Sequence, residues 1–257
     1  MIDIHSHILP GIDDGAQTME DTVALLKLAQ ETGTTHIVAS PHADTTYTYD
    51  VDKVTALIAE AQALAGDGIK ILRGCDFHLM MANVQDAMEH PRRYTINEGP
   101  YLLMELAEML IFPNTSQIWQ RLEDLGMRII LTHPERNPIL QQDIDKVQRW
   151  VEEGRYMQVT SQSLLGMFGP KPQKFATTLI ERGLAHFVAS DGHNLTGRPP
   201  RLDHGYQYVQ KCFGEELAEI LFEIHPRAVI EGDSVDTWMP RPERSQSRSF
   251  FGKLFGR

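Results

Sequence analysis

The chain has little cysteine: only Cys75 and Cys212 occur in 257 residues. Two thiols cannot build a disulfide framework, so a packed core must carry the fold, and a reducing compartment is the expected setting. A cationic surplus is also missing. The net charge of -11 excludes a general nucleic-acid surface, although metals or a few arginines could still create a local anion site. No basic N-terminal segment leads into an apolar run, and no stretch approaches the length of a membrane span. Cytoplasmic residence is therefore expected, with no stable membrane insertion and no nucleic-acid partner. The phosphate loop GxxxxGK[ST] is absent, which argues against a conventional nucleotide hydrolase.

What is present is a chain long enough for one barrel-sized domain, with no long polar linker to divide it. The expected domain covers 1–240, followed by a basic, aromatic tail at 241–257, "RPERSQSRSFFGKLFGR". That tail reads as a docking peptide, a weak interfacial helix or a disordered terminus. Apolar runs at 1–5, 35–40, 69–74, 101–106, 127–133, 155–161 and 185–191 predict strands, several buried on both faces. Helical patterns lie between them at 19–32, 51–65, 115–125, 141–153, 171–182 and 214–224. Asn114 and Gln117 have the spacing of a capping box. Gly33, Gly126, Gly154 and Gly183 stand where left-handed helix ends are expected. Repetition of strand, helix and glycine stop predicts an α/β fold with parallel strands, a closed or nearly closed barrel being favoured over an open sheet.

Polar residues recur at the ends of these strands. His5 and His7 follow the first, in "DIHSHILPGIDDG", and His42 follows the second, in "SPHAD". Asp76 follows the third, Glu105 lies in the fourth and His133 closes the fifth, while Asp191 and His193 follow the last in "ASDGHN". In a parallel barrel the C-terminal ends of all strands share one face, so these eight residues can converge. Imidazoles and carboxylates together suit Zn, Mn or Fe, and a shared carboxylate can bridge two ions; a metal hydrolase follows from the chemistry. Each residue alone has a plainer role as a helix cap, a backbone partner or an arginine's counter-ion. Glu105, within "LLMELAEML", needs a cation, a proton or a hydrogen-bond partner if buried, and is preferred over Glu108. His36, His78, His90, His186, His204 and His225 lack comparable positions and read as surface or structural.

As an ordered set, "DIHSHILPGIDDG", "ASPH", "RGCDFHL", "LLMEL", "LTHPERNP", "QVTSQSLLGMFG" and "FVASDGHN" resemble the PHP superfamily, named for polymerase and histidinol phosphatase. The resemblance is closest to its bacterial protein-tyrosine phosphatase branch, associated with capsule and exopolysaccharide production. It implies a distorted (β/α)7 TIM-like barrel with three divalent metal ions, manganese favoured and iron or zinc as alternatives. It places His5, His7, Glu105 and Asp191 around one ion. Glu105 then bridges to a second ion with His133, and His42, Asp76 and His193 serve the third. Asp76 stands where similar phosphatases usually have glutamate. Gly192 stands where alanine is frequent, a change that need not disturb either neighbouring ligand.

The implied reaction is phosphate-monoester hydrolysis by a metal-activated hydroxide. No cysteine nucleophile is required, and the Cys-x5-Arg signature is absent: Met81 and Ala218 stand at the arginine positions after Cys75 and Cys212. Cys75 reads as a small structural residue. Arg136 is the expected catalytic residue outside the ligand set, because a guanidinium can make two directed contacts to phosphate oxygens; its plainer role is a salt bridge with Glu135 or a nearby helix. Asp13 and Asp14 either orient a ligand from behind or form the "GIDDG" turn. Tyr47, Tyr49 and Arg198 are candidate substrate contacts, and Ser163 is expected to shape the pocket rim. The implied partner is a phosphotyrosine protein, a bacterial tyrosine kinase of polysaccharide assembly. Other readings are a small-molecule PHP phosphoesterase such as a histidinol phosphatase, an amidohydrolase, or a non-catalytic metal-binding scaffold. The amidohydrolase reading lacks a lysine placed with Glu105 or Asp76.

Overall fold

The computed structural model describes residues 1–237 and Met239; the tail at 241–257 lies outside them. Among the described residues nine strands run in parallel: β1 (Ile2–Ser6), β2 (His36–Ala39), β3 (His42–Ala43), β4 (Lys70–Arg73), β5 (Asp76–His78), β6 (Tyr101–Glu105), β7 (Arg128–Thr132), β8 (Tyr156–Thr160) and β9 (Phe187–Ala189). They form two sheets, β1-β2-β4 and β3-β5-β6-β7-β8-β9. The split arises because the second and third expected strands are each followed by a further short strand, β3 and β5, across breaks at Ser40–Pro41 and Gly74–Cys75. Pro41 has no N–H to give a ladder, so a break there is what its chemistry requires. Hydrogen bonds still cross the breaks, from Gly74 N to Ala39 O at 2.9 Å and from Asp76 N to Pro41 O at 3.1 Å.

The ring closes between its first and last strands. Ser6 bridges Gly192 in parallel, His7 N donates to Gly192 O at 2.8 Å, and Asp191 N donates to His5 O at 2.9 Å. The seven expected strand regions thus form a distorted parallel barrel. One core cluster draws on nearly every strand, through Ile2, Val38, Leu72, Leu103, Ile130 and Phe187. At the N-terminal ends of the strands the Tyr101 hydroxyl donates to Asp233 O and that of Tyr156 to Val235 O. The segment after the last helix therefore closes that end. A second cluster fills the space between sheet and helices, with Trp119 and Trp150 edge to face at 4.8 Å.

Around the strands lie α1 (Met19–Glu31), α2 (Val51–Ala65), α3 (Met81–Glu89), α4 (Thr115–Glu123), α5 (Ile144–Glu152), α6 (Ser161–Leu164), α7 (Pro170–Glu181), α8 (Asp203–Phe213), α9 (Glu215–Glu219) and α10 (His225–Glu231). α1 opens on a complete capping box, Thr18 with Asp21. α4 begins after Asn114 as predicted, but the Asn114 side chain makes no capping bond, so that box does not form. The four glycines expected at helix ends all have positive φ. α3, α6, α8 and α10 lie outside the expected helical ranges; α3 buries only Val84 and Ala87, and α6 is a single turn.

Candidate metal centre

The strand C-terminal ends bring all eight expected ligands to one place, and the barrel's register explains how. His42 lies opposite Asp76 between β3 and β5, and His78 lies opposite Glu105 between β5 and β6. Immediately past β7 and β9, His133 and Asp191 have φ of 33° and 52°, a region that side chains other than glycine rarely occupy. Such backbone is held only where the surroundings over-determine it. Nothing but hydrogen fits at Gly15, whose Cβ would collide with His7. At Gly192 a Cβ would lie 2.7 Å from Pro200 Cα, so alanine does not fit here without a shift of that loop.

Three imidazoles are oriented alike. His5 Nδ1 pairs with Gln158 Oε1, His7 Nδ1 with Asp13 Oδ2 and His193 Nδ1 with the Asp191 carbonyl, each at 2.8 Å. With each Nδ1–H donated outward, each Nε2 keeps its lone pair for the cluster, the usual arrangement behind metal-binding histidines. His5 Nε2 and His7 Nε2 are 3.2 Å apart. Asp191 Oδ1 lies 3.5 Å and 3.4 Å from them, and Asp76 Oδ2 lies 3.6 Å from His5 Nε2. His42 Nδ1 is 3.2 Å from Asp76 and 3.7 Å from Glu105, whose other oxygen is 3.8 Å from His133 Nε2.

These donors gather as His5, His7 and Asp76; as His7, Asp14, His42 and His193; and as His42, Asp76, His78 and Glu105, each with ligand atoms within 4.8 Å of one another. Buried atoms with no hydrogen-bond partner among the described residues concentrate here: His42 Nδ1, Asp76 Oδ2, His78 Nε2, Glu105 Oε2, Asp191 Oδ1 and His193 Nε2. Unpaired buried polar atoms are costly, and their convergence fits divalent cations. The field agrees. Burial opposes charge on His5, yet Asp76 and Asp191 raise it to about 9; burial likewise opposes charge on His42, yet Asp14 and Asp76 raise it to about 11. Burial and the neighbouring His7 lower His193 to about 4, which leaves a neutral ring able to ligate.

The other predicted residues fall into distinct places. Asp13 is buried behind His7, whereas Asp14 faces the cluster, 3.3 Å from both His42 Nε2 and His193 Nε2. Arg136 pairs not with Glu135 but with Asp191 Oδ2, an oxygen it shares with Arg198. Its guanidinium lies 4.9 Å over the Phe168 ring. Glu135 is buried and accepts from Thr160 N at 2.9 Å and Ser163 Oγ at 2.7 Å, so Ser163 braces the His133–Arg136 turn instead of lining a rim. Asn194 Oδ1 accepts from Thr196, Gly197 and Arg198 N–H groups and folds Arg198 back over Asp191. Tyr47 stacks near His42 at 6.1 Å, while the Tyr49 hydroxyl is engaged by Gly74 O and Arg73. Cys75 is fully buried, and burial pushes its thiol up, the reverse of a nucleophile's needs.

His78 and Gln158 went unrecognised in the sequence. Asp76 and His78 are two apart in a strand and so share a face, the same signal read at His5 and His7. Gln158 is a lone amide inside the buried run "YMQVT", where a polar side chain needs a partner.

Comparison with known proteins gives concordant matches. The family described as capsular polysaccharide synthesis, CpsB/CapC, matches residues 1–231. The CapC protein of Staphylococcus aureus is 32% identical over 99% of this chain and 100% of its own. The tyrosine-protein phosphatase YwqE of Bacillus subtilis is 29% identical over 100% of this chain and 99% of its own. A crystal structure described with YwqE and with CpsB of Streptococcus pneumoniae, metal-dependent tyrosine phosphatases, superposes with a TM-score of 0.87 at 27% identity, covering 95% of this chain and 99% of that one. A lactonase of Listeria monocytogenes shares the fold alone, with a TM-score of 0.58 at 15% identity.

Proposed function

The chain belongs to the CpsB/CapC family of capsular polysaccharide synthesis and is a metal-dependent protein-tyrosine phosphatase, and from that premise we propose how its residues divide the work. The observation that carries the assignment is Asp191, buried with its two oxygens facing opposite needs. Oδ1 faces His5 and His7 without a hydrogen bond, while Oδ2 takes both Arg136 and Arg198. A phosphoryl group set against this edge meets ligand histidines on one side and guanidinium forks on the other. His5, His7, His42, Asp76, Glu105, His133, Asp191 and His193 hold the ions in this reading, with Asp14 beside His42 and His193. Divalent ions there lower the pKa of water and offset charge on phosphoryl oxygens.

The remaining steps belong to the chain. Arg136, braced by Phe168 and by the buried Glu135 turn, orients the phosphoryl oxygens with its planar fork. Arg198 has a buried Nε without a partner, a second directed donor at the same edge. Gln158 and Asp13 keep His5 and His7 in their ligating tautomers. Tyr47, at the rim beside His42, supports an aromatic ester. A phenol of pKa about 10 is also a far better leaving group than the alkoxide of serine. The imidazole and carboxylate donor set supports manganese, with iron or zinc as alternatives. The substrate follows as a tyrosine kinase of polysaccharide assembly, met in the cytoplasm, with residues 1–240 as one domain.

A turnover screen on metal-reconstituted protein tests this. Phosphotyrosine peptides should outrun phosphoserine peptides, histidinol phosphate and nucleotide monophosphates, with no turnover of amides or lactones. Faster hydrolysis of histidinol phosphate would replace the reading with a small-molecule phosphoesterase, and amide or lactone turnover alone with an amidohydrolase.

A further inference from the structure

His78 stands on β5 two residues after Asp76, with Phe77 between them buried in the core, so the two side chains share the face that Phe77 leaves. The strand register then sets each opposite another donor: Asp76 faces His42, and His78 faces Glu105. The end of β5 is held firmly. Asn83 Nδ2 donates to His78 O at 3.1 Å and to Ala43 O at 2.7 Å, tying β5 to β3, and Leu79 N donates to Glu105 O at 3.1 Å.

The side-chain geometry is the telling feature. His78 Nε2 lies 2.6 Å from Glu105 Oε2, yet the approach does not meet hydrogen-bond geometry, and both atoms are buried without a partner. His42 Nδ1 and Asp76 Oδ2, 3.2 Å apart, are in the same condition. A simple ion pair would turn an N–H toward an oxygen. Here four buried ligand atoms lie within 4.8 Å of one another without hydrogen-bonding geometry between them, the spacing expected of donors that share one cation. Two imidazoles and two carboxylates form a donor set that suits Mn²⁺, Fe²⁺ or Zn²⁺.

We propose that His78 is a metal ligand and that, with His42, Asp76 and Glu105, it holds one of the divalent cations of this centre. The proposal rests on the metal centre assigned above and adds a ligand to it. Asp76 is fully buried, and the imidazole two residues on supplies a second donor from the same strand face.

The test uses the full chain, stripped by chelator and equilibrated with graded free Mn²⁺, as wild type, His78→Ala and His78→Phe. Bound metal is measured by elemental analysis, near-UV circular dichroism reports folding, and pulsed EPR counts imidazole nitrogens on manganese. In both variants one equivalent of Mn²⁺ should bind at least about 10-fold more weakly, and the EPR count should fall by one. The other equivalents should bind as in wild type. Imidazole added to His78→Ala should restore the lost equivalent. If folded variants match wild type in number, affinity and nitrogen count, His78 is not a ligand and only this proposal falls. If the wild type itself binds no Mn²⁺, the metal centre falls with it.

Discussion

The two ends of the barrel treat buried histidine in opposite ways. At the N-terminal ends of the strands, His186 is fully buried and both ring nitrogens are used: Nδ1 accepts from Met157 N at 3.1 Å, and Nε2 donates to Thr237 O at 3.0 Å. At the C-terminal ends, His42, His78 and His193 each leave a buried ring nitrogen without a hydrogen bond. The closed end is finished by the chain itself, with Tyr101 and Tyr156 satisfying the backbone of 233–235. Among the described residues, no hydrogen-bond donor or acceptor satisfies those ring nitrogens at the open end. Burial alone does not separate a structural histidine from a ligand; what its ring nitrogens face does, backbone at the closed end and other imidazoles and carboxylates at the open one.

If that contrast is sound, damage at the open end should remove metal and turnover while damage at the closed end removes stability. The largest effect is expected from Glu105→Gln, which keeps size and deletes a charge shared by His42, His78 and His133. Elemental analysis should show at least one ion lost, and steady-state kinetics a fall of more than about 100-fold in turnover. Full occupancy with near-normal turnover would erase the difference between the ends.

Next comes Arg136, whose loss should affect catalysis and leave metal content unchanged. Arg136→Ala should lower kcat/KM by about 100-fold and Arg136→Lys by about 10-fold, with kcat falling in both and metals retained. Equal efficiency in folded, metal-loaded variants would remove the arginine from the phosphate's path. Asp13→Asn sharpens the point about ring nitrogens, since it weakens the acceptor behind His7 Nδ1. Metal affinity should drop about 10-fold with little change in the thermal midpoint of metal-free protein.

The closed end should respond to pH in the absence of metal. Burial lowers His186 to about 4, so the folded state holds it neutral while the unfolded chain titrates near 6.5. Its stabilising neutrality is fully present above about pH 6.5 and is lost as pH falls toward 4, by on the order of 3 kcal/mol. Metal-free wild type should therefore lose stability over that window relative to His186→Gln, in chemical denaturation followed at several pH values. At pH 7.5 the variant should bind Mn²⁺ as wild type does; altered metal content would tie the two ends together. The smallest effects separate the two tyrosines. Tyr49→Phe should cost about 1 kcal/mol without altering kinetics, and Tyr47→Ala should raise KM for phosphotyrosine peptides about 3-fold with stability unchanged.

Much of this was legible in the sequence, for reasons tied to particular residues. The seven apolar runs show as strands because parallel strands buried on both faces must be apolar throughout, and the helix-ending glycines show because few other residues accept positive φ. His5, His7, His133 and Asp191 show because each interrupts or follows such a run with a group that burial would otherwise penalise. Asp76 shows on the same ground, while His78 two residues later was passed over although period-two alternation places both on one face. Gln158 was hidden because a single amide in a strand reads as a fault in an apolar pattern until its partner is known.

What the sequence determined by itself is the inventory: which residue types stand at the strand ends, and that their order resembles a phosphatase barrel. Only the tertiary structure decided which of them meet. Strand breaks at Pro41 and Gly74–Cys75 rotate His42, Asp76 and His78 onto Glu105, and the Ser6–Gly192 closure sets Asp191 between His5 and Arg136. The reason is physical: a one-dimensional pattern fixes the side of a strand on which a group emerges, whereas ligand geometry depends on angles between strands far apart in the chain. Asp13 and Asp14 are adjacent carboxylates in one turn, alike in sequence. Packing alone sent the first behind His7 and the second toward His42 and His193.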